Sequence, residues 1–214
     1  MAGETQVVGA GRSVGRLPSC LAALHRELGV GEHIRVQLSP RPSRAWFVER
    51  ARDLIVGAGF QLQGRCIFRS EKATATIERI QSLPDSVGPG MQVLIVGLNP
   101  SPYSADSGIP YGRPGNRFWP AALEAGLVSQ DRDVHHAFSS HHLGFTDFVR
   151  RTTRKADEVS QSEFEAGFVR VSRLIEWLKP KVVCFVGLGA WRAVVDKRLC
   201  LGFRIDRSEI REFM

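Results

Sequence analysis

The stretch VLIVGLNPSPYSADSGIPYGRPGNRFWPAALEAG, Val93 to Gly126, decides the fold. Val93–Val96 is a continuous apolar run, the pattern of a strand buried on both faces of a parallel sheet. A long loop follows from Gly97 to Gly115, with Pro100, Pro102, Pro110 and Pro114 to stiffen it. Asn116 can cap a short helix that carries Phe118, Trp119, Ala122 and Leu123, with Gly126 as its stop. Further on, Ser160 and Glu163 have capping-box spacing. The helix they open sets Phe164, Phe168, Val171, Leu174, Ile175 and Leu178 on one face. Pro180 ends it, and Val182–Val186 is a second buried strand closed by Gly187. Strand, helix and strand in this order argue for a parallel α/β sheet with right-handed crossovers.

Outward from this unit, residues 1–16 are rich in Gly and polar side chains and are expected to be flexible. Residues 17–81 are expected to form a small α/β extension of undisclosed role. It holds a helix at Leu17–Leu28, a strand at His33–Leu38 and a helix at Ser43–Ala58 that stops at Gly57 and Gly59. LPSCLAALHRELGVGEHIRVQL resembles the strand-and-helix tail of class I methyltransferases, without their strand and glycine-rich cofactor loop. Ser82–Gly90, SLPDSVGPG, is dense in turn residues and is expected to be a linker. Residues 91–214 then form the main domain.

The formal net charge is +7 and the pI about 9.7. That balance favours a polyanion such as nucleic acid, or serves solubility alone. No window is apolar enough to span a membrane, and the first residues lack the apolar core of a secretory signal. A cytoplasmic address is expected, nucleoid-associated in a bacterium. Cys20, Cys66, Cys184 and Cys200 are scattered, so neither zinc nor an iron–sulfur cluster is supported, and free thiols are expected. His135, His136, His141 and His142 lie in a polar stretch without companion carboxylates, so solvated loop histidines outweigh a metal site.

In open α/β sheets ligands bind beyond the carboxyl ends of the strands. There, GLNPS and the correctly spaced PGNRFW resemble the first signature of the mismatch-specific uracil/thymine-DNA glycosylases. GFTDFVRRTTRKADEVSQSEFEAG and VVCFVGLGAW are similar to that family's following segments. The resemblance covers about residues 91–195. It implies a Rossmann-like three-layer α/β/α fold that flips a nucleotide from DNA and cuts its N-glycosidic bond. The motif asparagine falls on Asn99, whose amide oxygen holds the attacking water. Backbone N–H groups around Leu98 and Tyr111 stabilise the leaving base, and the Tyr111 ring stacks on it. Ser104, Asn116 and Asp147 border the pocket, and Asn116 with Phe118 and Trp119 also ties loop to helix. Arg150, Arg151, Arg154 and Lys155 touch DNA phosphates or form a solvated face. The implied enzyme is a monofunctional, monomeric hydrolase needing no metal or redox cofactor. Its partners are double-stranded DNA with G·U or G·T mispairs and single-stranded DNA. No well-placed lysine argues for Schiff-base chemistry.

Three features depart from the family. Ser101 replaces the usual glycine after N-P and adds bulk near the pocket. Asp147 stands where relatives carry asparagine or lysine, and a carboxylate only accepts hydrogen bonds. The second signature, N-P-S with a wedge that fills the duplex gap, is not found in DKRLCLGFRIDRSEIREFM (196–214), so a truncated chain is expected. The alternative is an inactive relative that only binds nucleic acid. A nucleotide-binding α/β protein of another function is a third reading, without a phosphate-cradling loop to support it.

Overall fold

The computed structural model describes residues 5–187. Its N-terminal unit runs β1 (Thr5–Val8), α1 (Leu17–Glu27), β2 (His33–Leu38), α2 (Val48–Gly57), β3 (Phe60–Leu62), β4 (Ile67–Arg69) and β5 (Lys72–Arg79). β5 is the spine of the sheet, antiparallel to β2, β3 and β4, while β1 pairs with β2 in parallel. Alternation along β5 turns Ala73, Ala75 and Ile77 inward, where they meet Leu17, Leu21, Leu38, Ile55 and Phe60. Two expectations need correction. Thr5–Val8 is a paired strand rather than part of a flexible start, because its main chain completes an edge of this sheet. The second helix begins at Val48, not Ser43, since Phe47 is still extended.

The main unit continues with β6 (Val93–Gly97), α3 (Pro102–Ser107), α4 (Phe118–Glu124), α5 (Val134–His141), β7 (Leu143–Asp147), α6 (Gln161–Leu178) and β8 (Val182–Phe185). β6 is central, with β7 and β8 parallel on either side. Leu94 and Val96 point to one face and join Phe164, Val171 and Leu174 of α6. Ile95 points to the other and joins Trp119, Ala122 and Ala137 of α4 and α5. The result is three layers, helix, parallel sheet and helices. The capping box at Ser160 and Glu163 forms, and Lys179 takes a left-handed turn at the far end of α6. No described helix is long and apolar enough to cross a membrane.

Ser82–Gly90 is no linker. Ser82, Leu83, Asp85 and Val87 are buried, and Ser86 exchanges both main-chain hydrogen bonds with Phe145 of β7. The Asp85 N–H bonds the carbonyl of Gly57, where α2 ends. Its carboxylate takes Arg150 at 2.8 Å and Thr146 at 2.7 Å on one oxygen, and Arg170 at 2.7 Å on the other. A Cβ on Gly57 would lie 2.4 Å from that carboxylate, so the close approach requires glycine. Nearby, Asp53 of α2 binds Arg173 of α6 through two hydrogen bonds, and Arg50 lies 4.3 Å over the Trp177 ring. The N-terminal unit is thus joined to α6 and β7 by buried charge as well as by apolar packing.

Candidate active site

The long loop is partly ordered by its own side chains. Ser101 caps α3, its hydroxyl accepting from the Ser104 N–H at 3.2 Å and donating to the Ser104 hydroxyl at 3.2 Å. The serine expected to crowd the pocket therefore has its hydroxyl turned to a helix end. Ser104 is itself buried in that contact. Asn116 accepts from the Phe118 N–H at 2.9 Å just ahead of α4, whose cap position is Arg117 rather than the expected Asn116. Trp119 is fully buried and donates to the Pro110 carbonyl at 2.7 Å, pinning the loop to the helix.

β6 and β7 remain zipped together past their ends. The Phe148 and Val149 N–H groups bond the carbonyls of Gly97 and Leu98. One residue on, the Asn99 side chain makes the next link. Its nitrogen donates to the Arg151 carbonyl at 3.2 Å and to the Thr153 hydroxyl at 2.8 Å, and Thr153 donates onward to the Lys155 carbonyl at 2.7 Å. A carbonyl can only accept, so the amide nitrogen must face Arg151 and the amide oxygen must face away. Thr153, the side chain that anchors Asn99, was not singled out from the sequence; only its place in the segment after GFTDF could have suggested it.

Gly97, the last residue of β6, packs directly against Asp147 and Tyr111. A Cβ there would lie 2.2 Å from a carboxylate oxygen of Asp147 and 2.8 Å from the Tyr111 hydroxyl, so only glycine leaves room for both. Tyr111 sits at φ 55°, a strained conformation for a non-glycine residue, and stacks on Phe118 at 4.5 Å. No described residue receives its N–H. Tyr111 and Asp147 line a cleft of about 310 Å³, part of it open to solvent, with Pro84, Pro110, Phe145 and Arg150. Leu98, Asn99, Ser104 and Asn116 lie beside this cleft in the chain but not on its wall. Burial lifts the Asp147 carboxyl to about 6, Arg150 and Arg170 opposing and Asp85 adding to the rise. Burial and the neighbouring Asp147 likewise hold the Tyr111 phenol above its ordinary value.

The basic residues divide. Arg150, expected at a DNA surface, is 6% exposed and bound to Asp85 and the Leu83 carbonyl, so it is a structural cation. Arg151 grips Glu163 and the Glu158 carbonyl, which holds Glu163 down to about 2. Arg154 and Lys155 are exposed. His135, His136 and His141 belong to α5 rather than to a connecting loop, and Ser129 bridges the Nε2 atoms of His136 and His141. Among the described residues no group of three or more metal-ligating side chains converges. Cys20, Cys66 and Cys184 are free. The region searched for the N-P-S signature lies outside the described residues.

A cleft at the carboxyl ends of parallel strands, walled by an aromatic ring, belongs to an α/β protein built to hold a small planar ligand. The model of the uracil DNA glycosylase superfamily matches residues 84–211, more than half of the chain. The chain belongs to that superfamily, whose members are DNA glycosylases, hydrolases of DNA repair. The match begins at Pro84 and so takes in the buried joint that the sequence suggested was a linker.

Proposed function

We propose that this chain is a monofunctional glycosylase of the mismatch-specific type. It excises uracil or a related damaged pyrimidine, chiefly from G-mispaired DNA. The flipped base enters the cleft lined by Tyr111 and Asp147 and lies against the Tyr111 ring, with Asp147 at its edge. Asn99 holds the attacking water through its amide oxygen. An amide suffices, because a base that departs early leaves a cationic sugar that needs no strong nucleophile. Backbone N–H groups near Tyr111 take up the charge that grows on the base. Arg154 and Lys155 contact phosphates, and the enzyme works as a monomer in the cytoplasm.

The observation that carries this reading is the anchoring of Asn99. The Arg151 and Pro100 carbonyls and the Thr153 hydroxyl hold its nitrogen, and among the described residues nothing donates to its oxygen, which is left to take a water just past the end of β6. Single-turnover excision from a G·U oligonucleotide tests it. Asn99→Ala should fold normally and lose about 100- to 1,000-fold in rate. Undiminished excision by a folded variant would remove Asn99 from the chemistry.

A further inference from the structure

Little holds α3 to the rest of the protein. Of its residues only Ser104 and Ala105 are buried. Its hydrogen bonds stay within the loop, between Ser101, Ser104, Ala105, Ser107 and Ile109. Among the described residues a single one leaves it, from the Gln81 side chain to Asp106 at 2.8 Å. A carboxylate only accepts, so the Gln81 nitrogen faces Asp106 and its oxygen faces away. That oxygen accepts from the Thr152 hydroxyl at 3.2 Å.

Thr152 sits between the two residues that hold Asn99, the carbonyl of Arg151 and the hydroxyl of Thr153. A ring of contacts therefore closes around Asn99. It runs from Asn99 through Ser101 and α3 to Asp106, across the Gln81 amide to Thr152, and back by Arg151 and Thr153. Gln81 itself stands two residues after β5, at the exit from the N-terminal unit. Its neighbours fix it on both sides. The Ile80 N–H bonds the Gly59 carbonyl, and the buried Ser82 hydroxyl donates to the Arg150 carbonyl.

Resting on the glycosylase reading above, we propose that Gln81 is a positioning residue of the reaction. Its amide ties α3 to the segment that orients Asn99, so the N-terminal unit is part of the catalytic device rather than a separate module. Gln81 touches neither the base nor the water. It acts through Asn99, whose amide oxygen must stay aligned with the sugar carbon. Misplacing a reacting group by about 1 Å can cost about 100-fold. The Gln81 bridge is partly exposed to water, so its loss loosens the loop by less, and a fall of about 10-fold is expected.

Single-turnover excision of uracil from a G·U oligonucleotide by the full chain tests this, with DNA affinity and Tm measured beside it. Gln81→Ala should slow excision about 10-fold, while Kd for DNA changes by less than about 2-fold. Gln81→Glu sets two carboxylates face to face and should be at least as slow. Adding Asp106→Asn to Gln81→Glu places a donor opposite an acceptor again and keeps the Thr152 contact. That double variant should return to within about 2-fold of the parent rate. A loss of packing or of overall stability would not be mended by such an exchange of groups. Hydrogen–deuterium exchange over residues 101–107 reads the same contact without substrate. Gln81→Ala should speed it by about 5-fold or more, and the double variant should bring it back. A folded Gln81→Ala that excises at the parent rate overturns the proposal, as does a double variant no faster than Gln81→Glu. If the parent excises no uracil, the glycosylase reading falls and the positioning role with it. Amide exchange in α3 that Gln81→Ala leaves unchanged sinks the coupling alone.

Discussion

Replacing Asp85 by alanine should cost more stability than any other single change near the site. Its carboxylate is the shared counter-ion of Arg150 and Arg170, and all three side chains are only 5–6% exposed. Removing one partner of a buried ion pair leaves a charge that neither water nor protein compensates, at about 3–5 kcal/mol. Here two guanidiniums lose their shared counter-ion at once, and each already holds an Nε without a partner among the described residues. Against a typical total of about 5–15 kcal/mol, that loss consumes much of the margin and lowers Tm by roughly 10 °C. Urea unfolding followed by circular dichroism measures it. Combining Asp85→Ala with Arg170→Met should recover part of the loss, because the second change removes one of the two stranded charges. A single-variant loss below about 1 kcal/mol would refute the reasoning, since it would mean that water reaches the joint and screens it.

Thr153→Val removes the 2.8 Å acceptor of Asn99 and should slow excision by about 10-fold, while stability changes by only about 1 kcal/mol; equal rates would leave the Arg151 carbonyl as sufficient anchor. Tyr111→Ala should weaken the productive complex by about 1–3 kcal/mol and Tyr111→Phe far less, because the ring face does the stacking; two equally impaired variants would point to the hydroxyl. Arg154→Ala and Lys155→Ala should each reduce the slope of log K against log salt by about 0.9, measured by fluorescence anisotropy. Arg150→Ala should instead lower Tm, which separates phosphate contacts from the buried cation. Asp147 has a folded value near 6 against an ordinary 3.8, so its stability is full below about pH 4 and is lost as pH rises to about 6. Asp147→Asn should therefore match the parent at pH 4 and exceed it by up to roughly 3 kcal/mol at pH 7.5; identical denaturation curves at both pH values would show that Asp147 ionises freely.

The α/β class and the parallel sheet of the main unit were legible because their signals are local. VLIVG and VVCF are apolar throughout, and Ser160 with Glu163 marks a helix start by spacing alone. Asn99, Tyr111 and Asp147 could be singled out because GLNPS, PGNRFW and GFTDF are contiguous motifs. β5 was hidden, since alternating Ala and Thr carry little hydrophobic contrast and become a strand only by pairing with β2, β3 and β4. β7 was hidden because Gly144, Thr146 and Asp147 dilute a strand that burial on both faces defines. SLPDSVGPG reads as a linker until Asp85 meets Arg150 and Arg170, more than sixty residues downstream. The same long-range contacts turned Arg150 from a surface charge into a buried one and left the Asp147 carboxyl without a hydrogen-bond donor among the described residues. Sequence by itself singled out the residues proposed to carry the chemistry, because periodicity, caps and motifs are written within a few positions. Tertiary structure alone decided which charges are neutralised and which stand free at the cleft, because burial and ion pairing depend on partners that the chain brings together only by folding.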